Sequence, residues 1–531
     1  MFLFYRKLSE QSITFSAVNG CMQPGSMKAE GNQVKEYITY EMFGAAGDGV
    51  QDDMPAIVKA HAAANEKNLT VKAREGAVYY ISPRDQTAIV QTNVDWNGAE
   101  FVIDDVHCER ITAPVFHVVS RKKAVPLQVD SMAYGQTELE NPFGCDLQVI
   151  VQNANHRDYI RKGLNQDSGH TRTDVFILDR EGRLSSPLSF DFETITALHA
   201  YPIDEEELTI QGGEFLTIAN QAEAKYNYHM RNIYITRSHV DVRGITHRIT
   251  GEGAHGAPYR GFITVENCAR VHVHDCVFTG HFTYWTIGSA NLPVPMGSYD
   301  ISLNRTSSVR MTHCSQVNDI HDDRYWGLIG TNFCRDLVFD DCQFSRFDAH
   351  MGVSNCTLRR CRLGWQCLNA IGNGVFLIEE TEAHGNAFVN LRDDYGCTWR
   401  GDIILRNCTW IPRSERRAVF SGHNDGTHDF GYPCYMPNVV IDGLNIVEKA
   451  EDNQAPVYVF NDYLGSESVS GAVRPFMPIP PKTVTVLCIR TKRPLALCEN
   501  PALMPDTLYR AEGAEEFRIV PLAGCRAMHN E

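Results

Sequence analysis

Over the second half of the chain, apolar and polar positions alternate in short phrases, and the phrases recur. Val273-His274-Asp275-Cys276-Val277-Phe278, Phe339-Asp340-Asp341-Cys342-Gln343-Phe344, Leu358-Arg359-Arg360-Cys361-Arg362-Leu363 and Leu405-Arg406-Asn407-Cys408-Thr409-Trp410 share one layout: an apolar residue, two polar ones, a cysteine, a variable residue and a second apolar one. Ile235-Thr236-Arg237-Ser238, Met311-Thr312-His313-Cys314, Ile378-Glu379-Glu380-Thr381 and Ile441-Asp442-Gly443-Leu444 fit it with substitutions. Alternation of this kind predicts strands with one inward face. Small residues flanked by branched and aromatic ones predict a narrow interior, and intervals of about twenty to thirty residues match one β-helix coil with its loops. Between Ala124 and Asn220 the period is lost, while Thr173 to Asp179 reads as a strand before the turn Arg180-Glu181-Gly182-Arg183. That stretch is expected to be a β-insertion leaning on the coils. Beyond Glu448 prolines cluster at 475, 478, 480 and 481, and Thr483 to Ile489 alternates as a final strand. This tail is expected to cover the far end, where an open edge invites aggregation.

The near end is marked by Phe43-Gly44-Ala45-Ala46-Gly47-Asp48-Gly49-Val50-Gln51-Asp52-Asp53, an alanine-rich segment, and Val78-Tyr79-Tyr80-Ile81-Ser82. Glycines 44, 47 and 49 predict turns with unusual backbone angles, Asp52 or Asp53 a helix cap, and Pro55 a first-turn residue that needs no amide hydrogen. Ile57, Val58, His61, Ala62 and Ala64 then form the apolar side of a capping helix over residues 53–65. The motif F-G-A-x-G-D-G-x-x-D-D, followed by A-I-x-x-A and a short strand, resembles the opening segment of the pectate-lyase-like superfamily of right-handed parallel β-helices, which polygalacturonases and many phage tailspikes share. The resemblance spans about forty residues and implies a fold rather than one reaction, since members hydrolyse, eliminate, isomerise or bind glycans. The expected architecture is all-β: a single-stranded right-handed parallel β-helix with an N-terminal capping helix. Residues 1–36 form a leader, 37–450 the β-helix with its insertion at about 124–220, and 451–531 a C-terminal capping segment.

Composition refines this picture. A net charge of −16 over 531 residues argues against a nucleic-acid-binding surface, while leaving room for a local basic groove that takes acidic glycans. Of seventeen cysteines, an odd number, many fall at the one inward position of the phrase, so a buried ladder of free thiols is expected rather than disulfides. None shows metal-ligand spacing, and no metal or cofactor is assigned. Arg6, Lys7 and the apolar stretch ending at Cys21 fit a degenerate export signal or lipid-attachment site, so export to the periplasm, cell surface or medium is expected. No stretch has the length and apolarity of a membrane span. The expected partner is a polysaccharide or oligosaccharide; the sequence sets no oligomeric state.

Polar residues crowd onto the periodic scaffold between His313 and Arg400. Alternation in Ser345 to Gly352 puts Arg346, Asp348 and His350 on one face. Asp322, His350 and Asn369 each lie eight residues after a column cysteine, a spacing that would stack them on successive coils about 4.8 Å apart. Carboxylates so placed suit glycosidic cleavage, where acid and base flank one bond at about 5–9.5 Å. Asp322, Asp323, Asp348 and His350 are the candidate catalytic residues. Arg324, Tyr325, Trp326, Arg346, Asn369, Arg392, Asp394, Tyr395 and Trp399 are the candidate substrate contacts. Against polygalacturonases, Asp322-Asp323 matches the paired acids and His350-Met351-Gly352 resembles the histidine coil, but no N-T-D precedes and no R-I-K follows. Three classes stay open. A glycoside hydrolase using Asp322 or Asp323 with Asp348 leads; a polysaccharide lyase would draw on Arg346, Arg392, His350 and Tyr395; a non-catalytic glycan-binding β-helix needs no convergent geometry.

Overall fold

The computed structural model describes residues 37–108, 113–223, 228–253, 257–414, 418–448, 455–465, 473–500, 504 and 506–511. The expected leader, with Cys21, lies outside them. The structure is a single-stranded right-handed parallel β-helix with, among the described residues, one α-helix, α1, at Met54–Lys67. Met54, Ile57, Ala60, His61 and Ala64 are its buried side, whereas Ala62, expected inward, faces solvent, because the contacts follow the 57, 60/61, 64 spacing of a helical stripe. Asp53 stands at the N-cap position, but its carboxylate accepts from the amides of Ala46 (2.7 Å) and Gly47 (3.1 Å), locking the glycine loop to the helix instead of capping it. Tyr40 closes the end of the core, bonding His61 Nε2 (3.1 Å) and accepting from Trp96 Nε1 (3.0 Å).

Each coil carries three strand faces. One complete coil runs Ile263–Glu266 on face A, Ala269–His274 on face B and Val277–Phe278 on face C; the next repeats them as Ile301–Asn304, Ser307–Thr312 and Ser315–Gln316, paired in parallel. The corner from B to C is turned by a residue in the left-handed region on coil after coil: Asp275, His313, Asp341, Arg360, Glu380 and Asn407, with φ from 49° to 52°. The residue that follows is the column position. Cys276, Cys314, Cys342, Cys361 and Cys408 each donate Sγ–H to the carbonyl two residues back, at 3.1–3.4 Å, and Thr381 does the same with its hydroxyl at 2.9 Å. The corner therefore selects a small side chain with a donor on Cβ, which explains why threonine replaces cysteine there. The column thiols Cys276, Cys314, Cys342, Cys361 and Cys408 are free, and all the described cysteines but Cys145 and Cys488 are buried. Burial pushes the thiols of Cys268 and Cys334 up to about 12, so they stay protonated and unreactive.

Two departures from the coil shape the surface over face A. Leu147–Asp158, His170–Leu178 and Ala197–Pro202 form a three-stranded antiparallel sheet with its own core of Leu147, Val149, Val151, Phe176 and Leu178. It lies within the stretch where the sequence period fails, and docks on the A–B corner through buried Arg335, which donates to Asp174 and to Ser189 Oγ (2.8 Å). The coil resumes at Leu208–Gln211 and Glu214–Ile218. A second antiparallel pair, Tyr284–Ile287 with Pro293–Met296, has no counterpart in the sequence reading. The parallel ladder also runs past residue 450: Val457–Phe460 pairs with Ala418–Ser421, Thr483–Arg490 with Asn438–Ile446, and Leu508–Ala511 with Thr483–Arg490. Residues beyond Glu448 thus add coils.

Candidate functional site

The outward positions of face A form a polar column. Register pairs Ser302 with Gly330, Gly330 with Asp348, Asp348 with Asn369, Asn369 with Asn390, and Asn390 with Ser421. Coil stacking gives this juxtaposition without further cost, because parallel strands put equivalent positions one above another. Asp348, rather than His350, is the stacking neighbour of Asn369; the count from the cysteine column missed this because Asn369 follows an irregular stretch between Phe344 and Arg346 in the pairing.

Loops wall the column in. From the insertion come Arg161, Lys162 and Asn165; the hairpin side supplies Pro295, Gly297 and Tyr299. The resulting groove has two chambers, of about 500 and 360 Å³, which share Arg161, Asn165, Pro295, Arg346 and Arg392. Two glycines permit its tight walls. A Cβ on Gly330 would lie 2.7 Å from the Tyr299 ring, and one on Gly297 would lie 2.1 Å from Trp326.

Asp348 lies fully buried beneath the groove, behind the lining residues Arg346 and Arg392. Its Oδ2 accepts from Tyr299 Oη (2.8 Å), Arg346 Nη2 (2.7 Å) and Arg392 Nη1 (3.3 Å), while Oδ1 has no hydrogen-bond partner. Burial pushes this carboxyl up, but the charges of Arg346 and Arg392 override it and hold the group below the ordinary carboxylate value. Arg392 also forks onto Asp394, with Nε to Oδ1 at 3.0 Å and Nη2 to Oδ2 at 2.6 Å, and Arg161 Nε reaches Asp394 Oδ2 at 2.7 Å. Against the same burial penalty, those guanidinium groups keep Asp394 well below the usual range. No hydrogen bond of the Arg161 terminal amino groups is formed among the described residues. Arg346 is further held by Gln366 Oε1 (2.7 Å) and lies 4.7 Å over the Trp326 ring.

His350 presents an edge to the smaller chamber. With Nδ1 donating to Asn332 Oδ1 at 2.7 Å, its Nε2 is left as a lone pair, 3.5 Å from the Tyr395 hydroxyl. Burial, with the Arg392 charge adding to it, pushes the imidazole down to about 3, so it is neutral at physiological pH. Tyr395 is buried beneath Arg161 (5.0 Å) and Arg392 (5.2 Å); burial pushes its phenol up to about 12.

The structure thus brings Arg346, Asp348, His350, Asn369, Arg392, Asp394 and Tyr395 together, with Trp326 at the wall. Asp322, Asp323 and Arg324 lie elsewhere, on an exposed turn at Asp319–Arg324 that does not line either chamber. Asp322 accepts from its own neighbour Arg324 (Nε to Oδ1, 3.0 Å), which holds its carboxyl below the ordinary value. Tyr325 stacks on Phe282 with ring centroids 5.0 Å apart. The expected stack of Asp322 over His350 therefore does not form: the loop after Gln316 carries Asp322 off the strand. Trp399 is fully buried in the coil interior, donating Nε1–H to Gly374 O (3.1 Å), and touches no glycan surface. The 3-10 turn Asp393–Tyr395 and left-handed Gly396 separate it from the polar segment that suggested a substrate contact. Sequence reading missed Arg161, Lys162, Tyr299, Asn332 and Asn390. The basic step Arg161-Lys162-Gly163 within the insertion and the repeated outward asparagines were the available signals.

Fold and groove together define a parallel β-helix with a walled polar groove over one face. The tailspike gp61 of Pseudomonas phage phi297 matches it with a TM-score of 0.53 at 11% identity, over 90% of this chain and 84% of that one. The capsule KL64-specific depolymerase of Klebsiella phage P510 is 21% identical over 417 residues, 73% of this chain. This chain spans 38% of the length of that curated relative. The Gp54 tailspike of Acinetobacter baumannii bacteriophage AP22, solved with a capsular saccharide, aligns over 89% of this chain at 8% identity with a TM-score of 0.46. No family model matches the chain. Among the described residues no helix is long and apolar enough to cross a membrane.

Proposed function

We propose that this protein depolymerises an acidic polysaccharide, cleaving next to a uronate by β-elimination in the face A groove. What supports this reading is the His350 imidazole lining the chamber together with the Arg161 and Arg392 guanidinium groups, while the neighbouring Asp348 and Asp394 carboxyls are held below the ordinary carboxylate value. Acid-base hydrolysis needs one protonated carboxyl near neutral pH, and the environments of Asp348 and Asp394 push the other way. Elimination needs a cation to neutralise the uronate carboxylate, which acidifies the C5 proton, and a base to remove it. Arg161 and Arg392 are placed for the first task and His350 Nε2 for the second. In the step itself the C5–H bond breaks toward Nε2, the C4–O bond breaks, a C4=C5 double bond forms, and the imidazolium returns its proton to the departing oxygen. Burial is the main cause that depresses His350 and the Arg392 charge adds to it; a carboxylate seated against Arg392 offsets that added part and raises the basicity of His350 when substrate is present. Tyr395 acts through His350 as a positioning residue.

The relative described as a capsule depolymerase supports a polysaccharide substrate, and a capsular glycan is met outside a cell. Incubation with paired acidic and neutral polysaccharides, followed by viscosity and chain length, tests the reading. Shortening of acidic chains alone is expected. Cleavage of neutral chains overturns it, and binding without shortening across the panel favours the non-catalytic alternative.

A further inference from the structure

Face B carries a second cluster of chemistry-bearing residues, on a different side of the coil from the groove. Asp241 and His272 are register partners on adjacent coils, and His274 follows two residues along the same strand, so all three side chains project outward together. Their potential ligand atoms all lie within 4.8 Å of one another. Asp241 Oδ1 is 3.0 Å from His274 Nε2 and 3.6 Å from His272 Nδ1. Those separations bracket the edge of about 3.3 Å between ligand atoms of a tetrahedral zinc site with bonds of about 2.0–2.1 Å.

The ring nitrogens that point away are already held. His272 Nε2 is 2.9 Å from Thr312 Oγ1, and His274 Nδ1 is 2.6 Å from Asp275 Oδ2. Partners of this kind, a hydroxyl and a carboxylate behind the imidazoles, fix ring orientation and leave the inner nitrogens as ligands. Asp241 is buried, and Arg243 Nη1 lies 3.6 Å from its other oxygen, leaving Oδ1 directed at the histidines. The two histidine rings stack at 4.5 Å, with 25° between planes, and each turns one nitrogen toward Asp241 Oδ1.

We infer that Asp241, His272 and His274 bind a divalent transition-metal ion of the zinc class, with solvent completing the coordination. Two imidazoles and one carboxylate suit such an ion and not calcium or magnesium, which take oxygen ligands. Metal would join the strand Val240–Arg243 to the strand Ala269–His274, a cross-coil staple independent of glycan cleavage. The sequence alone gave no sign of it, because the carboxylate comes from the preceding coil.

The test is equilibrium titration of tag-free, chelator-stripped protein with zinc or cobalt(II), read by calorimetry and by the visible cobalt spectrum. One ion per chain is expected, with a tetrahedral cobalt spectrum and a raised thermal midpoint. In His272→Ala and His274→Ala binding should be lost; Asp275→Asn and Thr312→Val should weaken it about 10- to 100-fold. His350→Ala, in the groove, should bind normally. No binding to the wild type, or binding unchanged in both histidine variants, overturns the assignment. Circular dichroism checks that each variant is folded, and Asp241→Asn provides a third ligand variant if one histidine variant fails to fold.

Discussion

Replacing Asp348 by Asn keeps shape and removes charge, and the structure sets the size of the effect. The native carboxylate is fully buried and takes hydrogen bonds from Tyr299, Arg346 and Arg392. Breaking a buried ion pair by neutralising one member costs about 3–5 kcal/mol, because the remaining charge stays desolvated. Arg392 retains its fork on Asp394, and Arg346 retains Gln366 and the Trp326 ring, so the lower end, about 3 kcal/mol, is expected. Guanidinium denaturation followed by far-ultraviolet circular dichroism should show an earlier transition for Asp348→Asn. Asp322→Asn, on its exposed turn, should unfold like the wild type. Equal transitions for wild type and Asp348→Asn, or a larger loss at Asp322, would refute the reasoning that the buried charge network holds this floor together.

Arg161→Ala should weaken binding of acidic oligosaccharide about tenfold or more, as expected for one lost charged hydrogen bond of about 1.5–3 kcal/mol, with little change in fold; calorimetric titration checks it. For His350, the base form exists above its depressed value of about 3 and is lost only as pH falls through it, so kcat/KM should show no acid limb near the ordinary histidine value of 6.5. A limb there would contradict the burial argument. Trp399→Ala should cost about 3–5 kcal/mol of stability through the cavity it leaves, read as a lowered thermal midpoint, without a specific effect on glycan affinity. Thiol titration should label few cysteines in native protein and many after denaturation.

The periodic core was legible in the sequence because the β-helix writes one coil after another in the same phrase. The cysteine position carried the register, and Cys342 and Cys361 indeed precede paired residues Gln343 and Arg362 on neighbouring strands. The opening motif marked the capped end, though alternation could not tell that Asp53 would tie down a glycine loop. The site was most legible where it lies on strands: Arg346, Asp348 and His350 share the outer face that period two assigns them. Asp322 was misplaced because the loop after Gln316 resets the count from the cysteine, and Trp399 because proximity in sequence to the polar segment does not tell an inward position from an outward one. Arg161 was invisible because a loop some two hundred residues away in sequence from Arg392 brings it over the groove, which no local pattern records.

The central claim is that His350 drives elimination at a uronate, and the ends of the cleaved chains report on it directly. Mass spectrometry of the products from a susceptible acidic polysaccharide should show unsaturated non-reducing ends, lacking one water relative to hydrolysis products, from the wild type. Folded His350→Ala should form none. Saturated ends from the wild type, or unsaturated ends formed at an undiminished rate by His350→Ala, would contradict the account.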